Sequence, residues 1–205
     1  MKNVFSALIS LAAAAGFVTA AQAQDAQAGA KKAAMCIGCH GIPGYQASFP
    51  EIHKVPMISG QGAKYITSAL TAYKKGERKH PSMKAIAASL TEQDMADLGA
   101  FYSTQAGPAT AESAPAPTPP ATVAELLKKG NCASCHGENL NKPIDPSYPK
   151  LAGQHADYLF VALKAYQTEG NPQVGRGNAI MAGMAKPFSH AELKQMASYI
   201  ASLPT

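Results

Sequence analysis

A short motif of two cysteines and a histidine occurs twice in this 205-residue chain and constrains its fold more than any other feature. It reads Cys-Ile-Gly-Cys-His at residues 36–40 and Cys-Ala-Ser-Cys-His at residues 132–136. Two thiols three positions apart project from the same side of a helical turn, so both can bond to one porphyrin edge. The following histidine can then ligate the iron through a neutral imidazole nitrogen. The spacing therefore predicts two covalently attached haems of the c type.

The two motifs use all four cysteines of the sequence. The predicted attachment residues are Cys36, Cys39, Cys132 and Cys135, and the predicted proximal iron ligands are His40 and His136. Four cysteines in an exported protein could instead form two disulfides, an all-cysteine zinc site or thioredoxin-like redox pairs. None of these alternatives explains why histidine follows the second cysteine both times. The long separation between the two pairs also weighs against zinc.

The first 23 residues have the organisation of a secretory signal peptide. Lys2 supplies the positive start, residues 4–15 the apolar middle, and residues 21–23 a small-residue cleavage site. This pattern predicts cleavage after Ala23 and export to the periplasm, where c-type haem is attached. An uncleaved membrane anchor is the alternative, although the apolar run is short and rich in alanine for a membrane span.

The charge of the remaining chain is mildly positive and evenly spread. Without Lys2, 17 Lys and Arg residues stand against 13 Asp and Glu residues, and the two signs are interspersed. Nucleic-acid binding would require a clustered basic face, which the sequence does not contain. We therefore predict no nucleic-acid partner.

A segment rich in proline and alanine, residues 107–121, divides the chain into halves at residues 24–106 and 122–205. The halves repeat the same landmarks, so they are one unit used twice. These landmarks are the haem motif, a proline-led turn ending in Gly-Gln (56–61 and 149–154), a helix with matched tyrosines (Tyr65/Tyr158 and Tyr73/Tyr166) and a capped final helix. No segment shows the alternating pattern of a strand. The chain is therefore predicted to be all-α, with a few helices around one haem in each half.

Several helix boundaries can be predicted from capping residues. A hydroxyl followed three residues later by a carboxylate forms a capping box. Such pairs are Thr91/Asp94 and Ser189/Glu192 for the final helices, and Thr122/Glu125 for the helix before the second motif. Gly76 and Gly170 are predicted to end the two tyrosine helices.

The sixth ligand of each iron is predicted to be a methionine. Met83 and Met181 occupy matched positions seven residues before the end of the loop that precedes each final helix, within segments containing Gly, Pro or Ser. Met184 is a rival in the second half, and His80 is a rival in the first half. The remaining histidines lack a repeat partner and are predicted to be ordinary surface residues: His53, His155 and His190.

These motifs, turns, tyrosines and methionines resemble the cytochrome c4 family over essentially the whole chain after the signal peptide. The resemblance implies two tandem class I cytochrome c-like domains whose haems approach each other at the domain interface. It also implies that the carbonyls of Pro56 and Pro149 accept the second N–H of the proximal histidines. Two segments depart from the repeat, residues 42–54 and the Gly-rich stretch 169–177.

The resemblance implies an electron carrier rather than an enzyme. It would pass single electrons from a quinol-oxidising cytochrome complex to a haem–copper terminal oxidase or reductase, and would approach the membrane through these partners. One alternative is the electron-accepting subunit of a periplasmic dehydrogenase. Another is a dihaem peroxidase, which would need an open sixth position on one iron.

Overall fold

The computed structural model describes residues 23–107 and 115–205. The predicted signal peptide, apart from Ala23, lies outside the described residues, as does the middle of the predicted linker. The elements in chain order are α1 (Ala26–Lys32), α2 (Ala34–His40), β1 (Gln46–Ala47), β2 (His53–Lys54), α3 (Ala63–Lys75), β3 (Arg78–Lys79), α4 (Pro81–Ala88), α5 (Glu92–Thr104), α6 (Ala121–Lys129), α7 (Ala133–His136), α8 (Ala156–Gln167), β4 (Gly175–Arg176), α9 (Ala179–Ala185) and α10 (His190–Ala201). A short 3₁₀ turn, Glu138–Leu140, follows α7. Among the described residues, no helix has the length and apolarity needed to cross a membrane.

The predicted all-α class is confirmed, with two very small additions of sheet. β1 pairs with β2 inside the first half, and β3 pairs antiparallel with β4 across the two halves. In the second pair Arg78 lies opposite Arg176, and Lys79 lies opposite Gly175. Each strand has two residues, which is too short to produce an alternating sequence pattern.

The first half is built on the packing of α5 against α1 and α3. Gly29 permits the close approach of α1, because a Cβ atom there would lie 2.1 Å from the Asp97 carbonyl oxygen. The buried Asp97 carboxylate ties the same helices together by accepting from Lys32 Nζ at 2.7 Å and from the Asp25 N–H at 3.0 Å. The core residues are Ala33, Ile66, Leu70, Leu90, Met95, Leu98 and Tyr102.

The second half repeats this plan with α10 packed against α6 and α8. Both final helices begin with the predicted reciprocal capping boxes, Thr91 with Asp94 and Ser189 with Glu192. The two buried clusters of this half are Leu140, Ala152, Leu159, Ala197, Ile200 and Leu203, and Phe188, Leu193 and Met196.

Two predicted helix boundaries are wrong. α6 begins at Ala121 with Pro120 as N-cap and no side-chain cap, so Thr122 lies inside the helix and cannot form the predicted box with Glu125. Pro120 already has the extended backbone that precedes a first turn, so the helix starts earlier. Gly76 does end α3 in a left-handed conformation, but α8 ends at Gln167 and Gly170 lies in the following loop.

Candidate haem-binding site

One cavity of about 600 Å³ lies between the two halves and extends to both motifs. Every residue predicted to attach or ligate a haem lines it. These residues are Cys36, Cys39, His40, Met83, Cys132, Cys135, His136 and Met181. The fold therefore brings the two predicted sites, which are almost one hundred positions apart in sequence, to a common space.

The two motif histidines have equivalent surroundings. His40 is the last residue of α2 and its Nδ1 lies 2.8 Å from the carbonyl oxygen of Pro56. His136 is the last residue of α7 and its Nδ1 lies 2.9 Å from that of Pro149. A carbonyl can only accept, so Nδ1 carries the proton and Nε2 keeps its lone pair for a metal. Burial lowers the pKa of both histidines, which favours the neutral imidazole.

The four thiols lie as two separate pairs. Cys36 and Cys39 are on α2, Cys132 is the N-cap residue of α7, and Cys135 is inside that helix. Burial raises the pKa of Cys36 and of Cys132. Within residues 23–107 and 115–205, no three Cys, His, Asp or Glu side chains converge as a metal cluster, so the zinc alternative gains no support.

The two candidate methionines lie on short helices, which corrects the prediction that they lie in loops. Each is the third residue of its helix, Met83 in α4 and Met181 in α9. The N–H of Met83 faces His80 Nδ1 at 3.4 Å, and the N–H of Met181 donates to Asn178 Oδ1 at 2.9 Å. These helices have eight and seven residues. They are too short to show a distinct apolar stripe, which is why the sequence suggested loops.

The rivals for the sixth position differ from these two methionines. His80 serves as the N-cap of α4, with Nδ1 as the acceptor for the backbone of Met83. Met184 also lines the cavity, but 44% of its surface is exposed, whereas Met181 is half-buried. The matched capping geometry therefore supports the pairing of Met83 with Met181.

Sequence reasoning missed a cluster of arginines and tyrosines in the same cavity. Arg78 donates to the Tyr158 hydroxyl at 2.6 Å and to the Tyr65 hydroxyl at 3.2 Å, and Arg176 donates to Tyr158 at 3.0 Å. The tyrosines were predicted as matched helix positions. The arginines had only a loose correspondence in sequence, because the β3–β4 pairing that joins them spans both halves.

This cluster carries positive charge at the cavity. Burial alone would raise the pKa of Tyr158, but the guanidinium groups of Arg176 and Arg78 outweigh burial and lower it. Within the described part of the chain, the buried Nε of Arg78 has no hydrogen-bond partner. A cavity with cationic walls, two sets of thiols and two neutral imidazoles fits haem, whose propionates are anions.

His53 was predicted to lie at the surface and is instead 5% exposed. Its Nδ1 lies 2.8 Å from the Glu51 carbonyl oxygen, and its ring stacks at 6.2 Å on that of Tyr158 from the other half. The prediction failed because residues 42–54, which have no repeat counterpart, fold as the β1–β2 hairpin beside α8.

Comparisons with known proteins agree with this architecture. The family model described as "Cytochrome c" matches residues 26–105 and 121–204. Cytochrome c4 of Azotobacter vinelandii is 30% identical, with 96% of this chain and 98% of the relative covered. A "Thiosulfate dehydrogenase electron acceptor" of Stutzerimonas stutzeri is 29% identical, with 94% of each chain covered. The crystal structure of reduced recombinant cytochrome c4 from Pseudomonas stutzeri has a TM-score of 0.64 and 28% identity, covering 89% of this chain and 100% of that one.

Proposed function

Because this chain belongs to the cytochrome c family, as a dihaem cytochrome of the c4 type, we propose that it carries single electrons between redox proteins of the periplasm. Each half carries one haem c, whose iron exchanges one electron when the group is bound. The single observation that supports the proposal most is the common cavity, which contains both sets of attachment and ligand candidates. A shared cavity gives an internal route for electrons between the halves.

In this proposal the first haem is attached through Cys36 and Cys39 and ligated by His40 and Met83. The second is attached through Cys132 and Cys135 and ligated by His136 and Met181. The carbonyls of Pro56 and Pro149 orient the two imidazoles by accepting from Nδ1. With haem bound, the methionines would take the sixth positions and raise the reduction potentials, which suits donation to an oxidase. Filled sixth positions would leave no open site for peroxide.

The arginine pair supplies charge for the haem carboxylates. Arg78 and Arg176 line the cavity and pair with tyrosine hydroxyls rather than with carboxylates in the described residues. Half-buried cations favour compensating anions, and propionates would provide them. We assign both arginines to the propionate-facing wall.

The domain limits proposed for the protein are residues 24–106 and 122–205, joined by residues 107–121, after cleavage behind Ala23. The donor is proposed to be a quinol-oxidising cytochrome complex and the acceptor a haem–copper terminal oxidase or reductase. Contact with the membrane would come through these partners. The similarity to a thiosulfate dehydrogenase electron acceptor favours a second candidate donor, a periplasmic thiosulfate dehydrogenase.

The test uses the purified holoprotein and the two donor classes. We expect an intact mass two haems above that of the polypeptide, two low-spin irons with methionine ligation, and reversible one-electron exchange. Reduction is then followed with a quinol-oxidising complex and quinol, or with a thiosulfate dehydrogenase and thiosulfate. The faster arm identifies the donor. Pigment lost to acid–acetone would contradict covalent attachment of the haems, and robust peroxide turnover by the folded protein would contradict electron carriage.

A further inference from the structure

One peptide group in the first half is hydrogen-bonded at both of its ends, and the bond at one end crosses to the second half. The group links Pro56 to Met57. Its C=O lies 2.8 Å from His40 Nδ1, and its N–H donates to the side-chain oxygen of Gln154 at 3.1 Å. A continuous chain of hydrogen bonds therefore runs from a glutamine of one half to the proximal histidine of the other.

The second half contains the reciprocal arrangement. The peptide between Pro149 and Lys150 accepts from His136 Nδ1 at 2.9 Å and donates from the Lys150 N–H to Gln61 Oε1 at 2.9 Å. The two glutamines occupy the same position of the repeat, at the end of the proline-led turn. In each half, the glutamine therefore hydrogen-bonds to the peptide group of the other half whose carbonyl accepts from the proximal histidine.

Further contacts fix the orientation of both amide groups. Gln154 Nε2 donates to the Met57 carbonyl at 2.8 Å, and Gln61 Nε2 donates to the Lys150 carbonyl at 2.9 Å. Each Oε1 also accepts from the following backbone N–H, that of His155 at 3.0 Å and that of Gly62 at 3.0 Å. A flipped amide would set its NH2 group against two N–H donors and its oxygen against one carbonyl, so the network determines which atom is oxygen.

Polarisation along such a chain has a defined sign at the iron. An acceptor on the N–H of a peptide makes its C=O a stronger acceptor, because successive hydrogen bonds reinforce one another. A stronger acceptor at Nδ1–H makes the imidazole a more basic ligand. A more basic ligand stabilises the ferric iron and lowers its reduction potential.

We propose that Gln154 tunes the iron of the first half and Gln61 tunes the iron of the second, each across the interface between the halves. Both are positioning residues that act through a peptide group on a histidine. The inference rests on the proposed function, because it requires His40 and His136 to be iron ligands. It makes the reduction potential of each haem depend on contact with the other half.

The test compares full-length Gln154→Leu and Gln61→Leu holoproteins with the unchanged protein. Spectroelectrochemical titration gives two midpoint potentials. Met83→His and Met181→His variants assign each midpoint potential to its haem, since exchange of methionine for histidine lowers one potential at a time. Gln154→Leu should raise the first-half potential and leave the second in place, and Gln61→Leu should do the opposite. We expect a change of about threefold in the redox equilibrium, which is about 28 mV for one electron.

A second readout reports the hydrogen bond itself. In the ferrous protein, the Nδ1–H proton resonance of His40 should move upfield in Gln154→Leu, and that of His136 should move upfield in Gln61→Leu. The charge-neutral control Glu51→Gln with Lys164→Gln removes an ion pair of 2.8 Å at the same interface without touching either peptide. It should leave both resonances and both potentials in place.

The outcomes separate this inference from the proposed function. Absence of two low-spin covalent haems in the unchanged protein would overturn the proposed function. Three results with normal haems would overturn only the crossed tuning. These are a shift of the potential in the half that carries the substitution, an equal shift of both potentials, and no shift. If the leucine variants fail to fold, Gln154→Asn and Gln61→Asn shorten the side chain by one methylene and keep its polarity. These asparagine variants must show the same crossed shifts in reduction potential.

Discussion

Two methionines of the second half, three residues apart, line the common cavity, and their exposure to solvent differs. Met181 is half-buried and shares its capped position with Met83, whereas Met184 is 44% exposed. We expect Met181→Ala to abolish the methionine–iron charge-transfer band of the second haem, open that iron to carbon monoxide and lower its potential. Met184→Ala is the matched control and should leave the spectrum intact. The reverse pair of spectra would contradict the assignment.

A second prediction at the scale of single residues concerns the half-buried charge of Arg78. A cation beside a haem stabilises the reduced state, because reduction removes positive charge from the iron. Arg78→Gln should therefore lower the reduction potentials by an amount on the order of 1 kcal/mol per electron. Lys79→Gln removes the same charge from the next residue of β3, where Lys79 Nζ makes an exposed contact with the Asn171 carbonyl.

Solvent should screen the Lys79 charge, so the control should shift the potentials much less than Arg78→Gln. Equal shifts in the two variants would show that Arg78 acts only through net charge. Redox titration of both proteins at one ionic strength makes this comparison. A positive shift in Arg78→Gln would contradict the assignment of this side chain to the propionate-facing wall.

At the scale of elements, the crossing of α1 over α5 depends on the absence of a side chain at Gly29. A Cβ atom there would lie 2.1 Å from the Asp97 carbonyl oxygen, which is backbone and cannot rotate away. Gly29→Ala should force the helices apart and reduce the free energy of unfolding by about 1–3 kcal/mol. Denaturant titration followed by circular dichroism measures the loss.

Gly38 offers the matched control for this substitution. It also lies on a helix of the first half, but a Cβ atom there would meet nothing within 4 Å. The second motif carries Ser134 at the equivalent position, so the haem motif accepts a side chain there. Gly38→Ala should retain the stability of the unchanged protein. A loss of stability as large as that of Gly29→Ala would mean that the helix crossing is not responsible.

The elements that could be predicted are those determined by local chemistry. The capping boxes at Thr91 and Ser189 and the left-handed Gly76 follow from a few adjacent residues, and the structure has all three. The start of α6 and the short helices α4 and α9 were missed because one proline or about two helical turns leave no periodic pattern.

Contacts between the halves could not be predicted from local sequence patterns. Arg78 meets Arg176 only because two-residue strands pair over a separation of almost one hundred positions. The buried position of His53 likewise depends on Tyr158 of the other half. The doubled motif nevertheless predicted a set of cysteines and histidines that line one cavity, since a covalent cofactor restricts residue types and spacing directly. The arginines of the same cavity carry no such local signature.

At the scale of the whole molecule, each half has its own buried core, yet the interface is polar and specific. Among the described residues, the core clusters do not mix residues of the two halves. The contacts that join the halves include the β3–β4 pair, the Gln61 and Gln154 amides and the ion pair of Glu51 with Lys164. Polar interfaces of this kind add specificity more than folding free energy. The cores should therefore form separately.

A fragment of residues 24–105 tests this balance. We expect it to remain soluble and bind one haem, because α1, α3 and α5 form its core without help from the second half. Its stability should fall, since Arg78 loses the Tyr158 hydroxyl and its strand partner Arg176. Intact mass and chemical unfolding measure these effects. If neither this fragment nor the second half alone matures, the interface is an obligate part of each core and the halves are not independent folding units.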